Sequence, residues 1–227
     1  MEVIVLAGGL GTRLRSVLND IPKPMALVKN KPFLEYVLTW LSEYNINKIV
    51  LSAGYRYEII ENYFKNVFKD IPIEYAIEPE PLGTGGGILH SLPYICDESA
   101  LVVNGDTYFP IDLDAFFLAH LAMKGEITIA LKEMIDFDRY GSVSTDQNYN
   151  IIQFQEKKFQ KQGLINGGIY LLKRKFIYEH SLPGKFSFEK EILEKEINNK
   201  SIKGIPFNTQ FLDIGVPEDY YKAEQLL

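Results

Sequence analysis

The chain has 227 residues, enough to bury one substantial core, so a single domain over 1–227 is expected. Hydrophobic residues make up 46% and charged residues 24%, with a net charge of −6, which suits a globular protein and argues against non-specific nucleic-acid binding. The single cysteine, Cys96, excludes an internal disulfide framework and reads as an inert, partly buried thiol in a reducing compartment.

The N-terminal stretch MEVIVLAGG lacks a basic leader, and its apolar run is too short for a signal segment or a membrane span. A cytoplasmic protein with no membrane partner is therefore expected. Met1–Ala7 reads as a buried strand, continuous in hydrophobicity as parallel strands covered on both faces are. After a glycine loop, Phe33, Leu34, Val37, Leu38 and Leu41 recur at helical spacing, with Pro32 suited to the helix start. Lys48–Ala53 is predicted as a second strand and 57–68 as a second helix. A third strand over 73–77, a helix over 85–92 and a fourth strand over 100–103 follow. The alternation predicts an α/β, doubly wound sheet with ligand loops at the strand C-termini.

The second half is less regular. A helix near Leu113–Met123 precedes strands around 127–132, 141–145, 151–155 and 168–172. Clustered strands of this kind predict a small antiparallel flap beside the main, mixed sheet. Helices over 188–198 and from Pro217 close the chain, and the charges of 189–195 read as a solvated helix face.

Six short constellations carry the chemistry. Gly8-Gly9-Leu10-Gly11-Thr12-Arg13-Leu14 follows the first strand, where an open α/β sheet holds a phosphate, and Lys23 follows between two prolines. Neither a dinucleotide fingerprint nor a P-loop is present. The loop Glu78-Pro79-Glu80-Pro81-Leu82-Gly83-Thr84 follows the third strand. It reads equally as a base-recognition loop, with Glu80 accepting from guanine N–H groups, or as a helix cap with Thr84 at the N-cap. Asp106, just past the fourth strand, and Asp213, in an apolar setting, suit a hard cation such as Mg²⁺. Glu156 with Lys157, and Asn166 with Gly167-Gly168, offer hydroxyl- and phosphate-binding groups; alone, they would read as surface charge and a bulged strand. The histidines are scattered, and no Cys/His metal motif or nucleophile elbow is visible. This points to charge-stabilised phosphoryl chemistry.

In this order the pieces resemble the sugar-1-phosphate nucleotidyltransferases over essentially the whole chain. The resemblance rests on the Gly8–Leu14 loop, Pro22-Lys23-Pro24, Pro81-Leu82-Gly83-Thr84, Gly105-Asp106, Glu156-Lys157, Asn166-Gly167-Gly168 and Asp213-Ile214-Gly215. It implies a Rossmann-like domain that joins a nucleoside triphosphate to a sugar 1-phosphate. Carried over, Leu6, Ala7, Gly8, Gly9, Gly11, Thr12 and Arg13 bind the nucleotide, with Glu80, Pro81, Gly83 and Thr84 beside them. Arg13, Lys23 and Asp106 are the expected catalytic groups, and Asp106 with Asp213 holds Mg²⁺. Asn104, Gly141, Glu156, Lys157 and Asn166 meet the sugar phosphate. Ser16-Val17-Leu18, Lys23-Pro24-Met25-Ala26 and Pro32–Tyr36 look most like the D-glycero-α-D-manno-heptose 1-phosphate guanylyltransferase branch, which implies GTP. Lys158 departs from the Glu-Lys-Pro common in the family, and no left-handed β-helix follows. Mannose 1-phosphate with GTP, N-acetylmuramate 1-phosphate with UTP, and a non-catalytic nucleotide-sugar sensor remain as alternatives. A homo-oligomer is compatible with the sequence but not specified by it.

Overall fold

The structure, a computed structural model, describes residues 1–9, 21–180 and 182–227. The Gly11, Thr12 and Arg13 expectations lie outside the described residues. Strand β1 (Glu2–Leu6) enters the centre of the sheet, and Val3, Ile4 and Val5 are fully buried. A short hairpin of β2 (Leu27–Val28) and β3 (Lys31–Pro32) leads into α1 (Phe33–Leu41). Next come β4 (Lys48–Ala53) and α2 (Tyr57–Phe64). The second helix stops four residues short of expectation. Lys65 takes φ +54°, ending the helix, and the positive φ angles of Lys69 and Asp70 turn β5 (Val67–Phe68) back onto β6 (Ile71–Ile77).

Helix α3 (Gly83–Ser91) and strand β7 (Ser99–Asn104) complete the parallel part of the sheet. Strand β8 (Thr107–Tyr108) precedes α4 (Leu113–Met123), whose start is capped by Asp112 accepting from the Ala115 N–H at 2.9 Å. The rest comprises β9 (Ile127–Phe137), β10 (Ser142–Thr145), β11 (Ile151–Phe154), β12 (Gln160–Lys173), α5 (Arg174–His180), α6 (Glu194–Glu196), β13 (Ile202–Phe207), β14 (Leu212–Asp213) and α7 (Pro217–Leu226). The helix expected over 188–198 forms as one continuous helical stretch whose pitch changes along it: a π-helical turn, Glu189–Leu193, then α6, then a 3-10 turn.

Strands β7, β1, β4 and β6 run parallel within a 10-stranded mixed sheet. β12 pairs antiparallel with β7, β9 pairs antiparallel with β12, and β13 runs parallel to β9. Alternation along β1 sends Val3 and Val5 to a core with α1 and α4, and Ile4 to a second core with α3, α5 and the π-helical turn. Helices thus cover both faces, as the doubly wound reading requires, and the parallel strand ends collect the ligand loops on one edge. Cys96 is exposed, contrary to the sequence expectation, because it lies in the turn that leads into β7. Among the described residues no helix is long and apolar enough to cross a membrane.

Candidate active site

At the carboxyl edge of the parallel strands lies a cavity of about 380 Å³. Leu6, Gly8 and Gly9 line one wall, and Pro81, Gly83 and Thr84 line another. Ala7 is buried behind this surface, its N–H donating to the Ser52 carbonyl at 2.7 Å. Glu80 is exposed and does not line the cavity; the carboxylate of this loop that does is Glu78. Glu78 accepts from Ser52 Oγ at 3.0 Å and from the Leu82 N–H at 3.0 Å, so it fixes the loop from below. No side chain caps α3, whose first residue is Gly83; the Thr84 hydroxyl is engaged by residue 189 instead.

The charged centre is assembled by a long-range pairing. β14 runs antiparallel to β8 with Asp213 opposite Thr107, and the Ile214 N–H donates to the Asp106 carbonyl at 3.2 Å. That register sets Asp213 beside Asp106. Lys23 arrives from a 3-10 turn, Lys23–Met25, stiffened by Pro22 and Pro24. Its ammonium donates to Asp106 Oδ2 at 2.5 Å and reaches Asp213 Oδ1 at 3.5 Å. The three side chains are 12%, 33% and 27% exposed in that order, so water screens them only in part. Burial, with the charge of Asp106 added, raises the Asp213 carboxyl above the usual carboxylate range despite Lys23. Two hard carboxylates that repel one another, with one cation between them, form a donor set suited to Mg²⁺. Among the described residues no group of three or more His, Cys, Asp or Glu is arranged to hold a metal.

A second cavity, about 710 Å³, opens beside the first. Its position follows from the register of β12. Ile165 of β12 faces Ser142 of β10, and Ile169 faces Val103 of β7, both on the same edge of the strand. Between them the edge has no partner strand, and the irregular Asn166–Gly168 segment occupies that gap. Gly168 takes φ +74°, and a Cβ there would strike the Asn104 side chain, so glycine is required on both counts. Asn104, Gly141, Glu156, Lys157 and Asn166 all line this cavity, as does Asp213. Asn104 also lines the smaller cavity, together with Asp106. Asn166 accepts the Gly168 N–H at 3.0 Å and donates to the Tyr170 hydroxyl at 3.0 Å. Glu156 and Lys157 are exposed at the rim.

Three groups escaped the sequence reading. Tyr140 lies beside Asp213, and its hydroxyl is pushed up to about 12 by burial and the Asp213 charge. Lys185 lines the smaller cavity. Glu189 lines the larger one, although the charges of 189–195 were expected on a solvated face. That expectation holds for the exposed Lys195, joined at 2.5 Å to the half-buried Glu191, but not for Glu189. Its only sequence signal was membership in a mixed-charge run.

The model of the nucleotidyl transferase family matches residues 2–227. The chain is 49% identical over 221 residues to the D-glycero-alpha-D-manno-heptose 1-phosphate guanylyltransferase of Campylobacter jejuni subsp. jejuni serotype O:2, covering 97% of each chain. It is 46% identical over 227 residues to the enzyme of that name from Aneurinibacillus thermoaerophilus, covering 100% of this chain and 98% of that one. Among solved structures, HddC from Yersinia pseudotuberculosis, complexed with GMP-PN, superposes with a TM-score of 0.87 at 39% identity. That match covers 99% of this chain and 98% of HddC. With the alternating fold and the paired cavities in place, the chain belongs to the nucleotidyl transferase family.

Proposed function

We propose that the protein joins GTP to D-glycero-α-D-manno-heptose 1-phosphate, giving GDP-heptose and pyrophosphate. The observation that carries this reading is the Lys23–Asp106–Asp213 cluster at the junction of two cavities. Asp106 faces the smaller cavity and Asp213 the larger, and one lysine binds both. The smaller cavity, walled by glycine backbone, suits the nucleotide, and the larger, polar one suits the sugar phosphate. The choice of base and sugar follows the two relatives aligned over almost their whole length.

In this reading the sugar phosphate is ionised at neutral pH and acts as its own nucleophile, so no general base is needed. One of its oxygens attacks the α-phosphorus of GTP. A new P–O bond forms, the bridging α–β P–O bond breaks, and pyrophosphate leaves with the electron pair. Lys23 sits where charge gathers around the reacting phosphorus, and Arg13 is assigned to the departing pyrophosphate. Asn104, Gly141, Glu156, Lys157 and Asn166 orient the sugar phosphate for in-line approach. Asp106 and Asp213 would hold Mg²⁺, which when bound neutralises phosphate charge.

The test is pyrophosphate release with Mg²⁺ in a grid of GTP, UTP, CTP, dTTP and ATP against the manno-heptose, mannose and N-acetylmuramate 1-phosphates. A signal from GTP with the heptose is expected. A signal elsewhere in the grid keeps the reaction and discards this substrate pair. Silence throughout with GTP still bound leaves a nucleotide sensor.

A further inference from the structure

The segment that follows α5 folds back onto the nucleotide loop. The Phe186 N–H donates to the Leu82 carbonyl at 3.0 Å, and the Phe186 carbonyl accepts the Gly85 N–H at 3.1 Å. Two residues on, the Phe188 N–H donates to Thr84 Oγ1 at 2.9 Å. The next residue opens the π-helical turn, a local widening of helical geometry that often marks functional positions. That residue is Glu189. Its Oε2 accepts from Thr84 Oγ1 at 2.7 Å and from Ser187 Oγ at 2.7 Å. Oε1 has no hydrogen-bond partner among the described residues, and Glu189 is partly buried in the wall of the larger cavity.

A carboxylate in the wall of a polar cavity, anchored by one oxygen and with no partner for the other among the described residues, is a preorganised acceptor. Its entropic cost is already met by the anchor, so a hydroxyl donor binding Oε1 orders little else. The neighbourhood agrees. Tyr170, fully enclosed, has its hydroxyl raised well above the usual phenol range by burial and by the nearby charge of Glu189. Tyr170 in turn holds Asn166, one of the residues facing the sugar.

We infer that Glu189 is a sugar-recognition residue of the proposed reaction, accepting a hydroxyl of the sugar phosphate through Oε1 while Oε2 ties the same wall to the nucleotide loop. This rests on the reading of the larger cavity as the sugar-phosphate site. The two roles belong to different oxygens and can be separated. In Glu189→Gln, the amide oxygen keeps the Thr84 and Ser187 bonds, but an NH₂ donor replaces the free acceptor. In Thr84→Val, one of the two hydroxyls that hold Oε2 is removed and the carboxylate stays.

The experiment measures kcat and both KM values for the wild type and each variant, with GTP and either heptose or mannose 1-phosphate. Glu189→Gln should raise the sugar-phosphate KM about tenfold or more and leave the GTP KM within about threefold. Thr84→Val should raise the GTP KM and, by loosening the carboxylate, raise the sugar-phosphate KM severalfold as Ser187→Ala does. A panel of deoxy mannose 1-phosphates adds a readout that a structural role would not move. Removal of one particular hydroxyl should weaken binding in the wild type and cost far less in Glu189→Gln. If that variant fails to fold, Ser187→Ala, which loosens the same carboxylate, should raise the sugar-phosphate KM severalfold. An unchanged sugar-phosphate KM in folded Glu189→Gln or Ser187→Ala overturns the inference, as does an equal rise of both KM values in Glu189→Gln. Absence of wild-type turnover with any sugar phosphate would remove the proposed function first, and this assignment with it.

Discussion

Lys23 carries one positive charge between two carboxylates, and its substitution tests what that charge does. Lys23→Ala would leave Asp106 and Asp213 facing each other, where burial and then the Asp106 charge already hold the Asp213 carboxyl high. If Lys23 acts on the reacting phosphorus, its charge matters most when negative charge builds up in the transition state. The expected result is a fall in kcat of about 10²-fold or more, with modest changes in KM, a scale drawn from removal of single oxyanion donors. Steady-state kinetics at saturating GTP and sugar phosphate measure it. A defect confined to KM would make Lys23 a binding residue and return the charge-stabilising role to other groups.

At the scale of elements, the contact between α3 and the 184–189 segment decides whether the two cavities share a wall. Gly85 is buried in α3, and a Cβ there would overlap the ring of Phe186. Helix propensity alone favours Gly85→Ala by about 1 kcal/mol. Overpacking opposes it by about 1–3 kcal/mol, and the Phe186 ring has little room to yield because its backbone is bonded on both sides. The clash should win. Gly85→Ala should lower the urea midpoint and raise both KM values, and a stabilised variant would show that the segment is free to move. This contact was not legible in the sequence, since nothing local links residue 85 to residue 186. Strands such as β1 and β7 were legible because they read as short apolar runs, and α4 was found to the residue because its apolar run is sharply bounded. The two-residue strands β8 and β14 show no period at all, so Asp106 and Asp213 could be named while the pairing that unites them could not. The length of β12 was hidden for a related reason: Asn166-Gly167-Gly168 interrupts its apolar pattern where the cavity needs a gap.

For the molecule as a whole, acid stability is expected to depend on a histidine that lines neither cavity. His120 on α4 is 2% exposed, and its Nδ1 lies 2.7 Å from the hydroxyl of Thr128 on β9, joining a helix to the flap side of the sheet. Burial lowers its pKa, Lys173 lowers it further, and Glu126 only partly opposes them. The folded-state pKa therefore lies below the ordinary value of about 6.5 that the unfolded chain retains. Above that value both states hold a neutral imidazole, and the group adds no pH dependence. As pH falls below it, the unfolded state takes up a proton that the folded state refuses, so stability declines down through the folded pKa. Glu2 gives a separate, lower step. Burial raises its carboxyl, but hydrogen bonds from the Asp97 and Cys96 backbone and from Lys48 bring it below the usual range, so its contribution is lost only in stronger acid. Urea midpoints at pH 7.5 and 5.5 isolate the histidine. The wild type should be less stable at pH 5.5, and His120→Gln, which keeps a hydrogen-bonding side chain without the titration, should show a smaller difference between the two. An equal drop in both proteins would move the acid sensitivity to another group and leave the α4–β9 contact as packing alone.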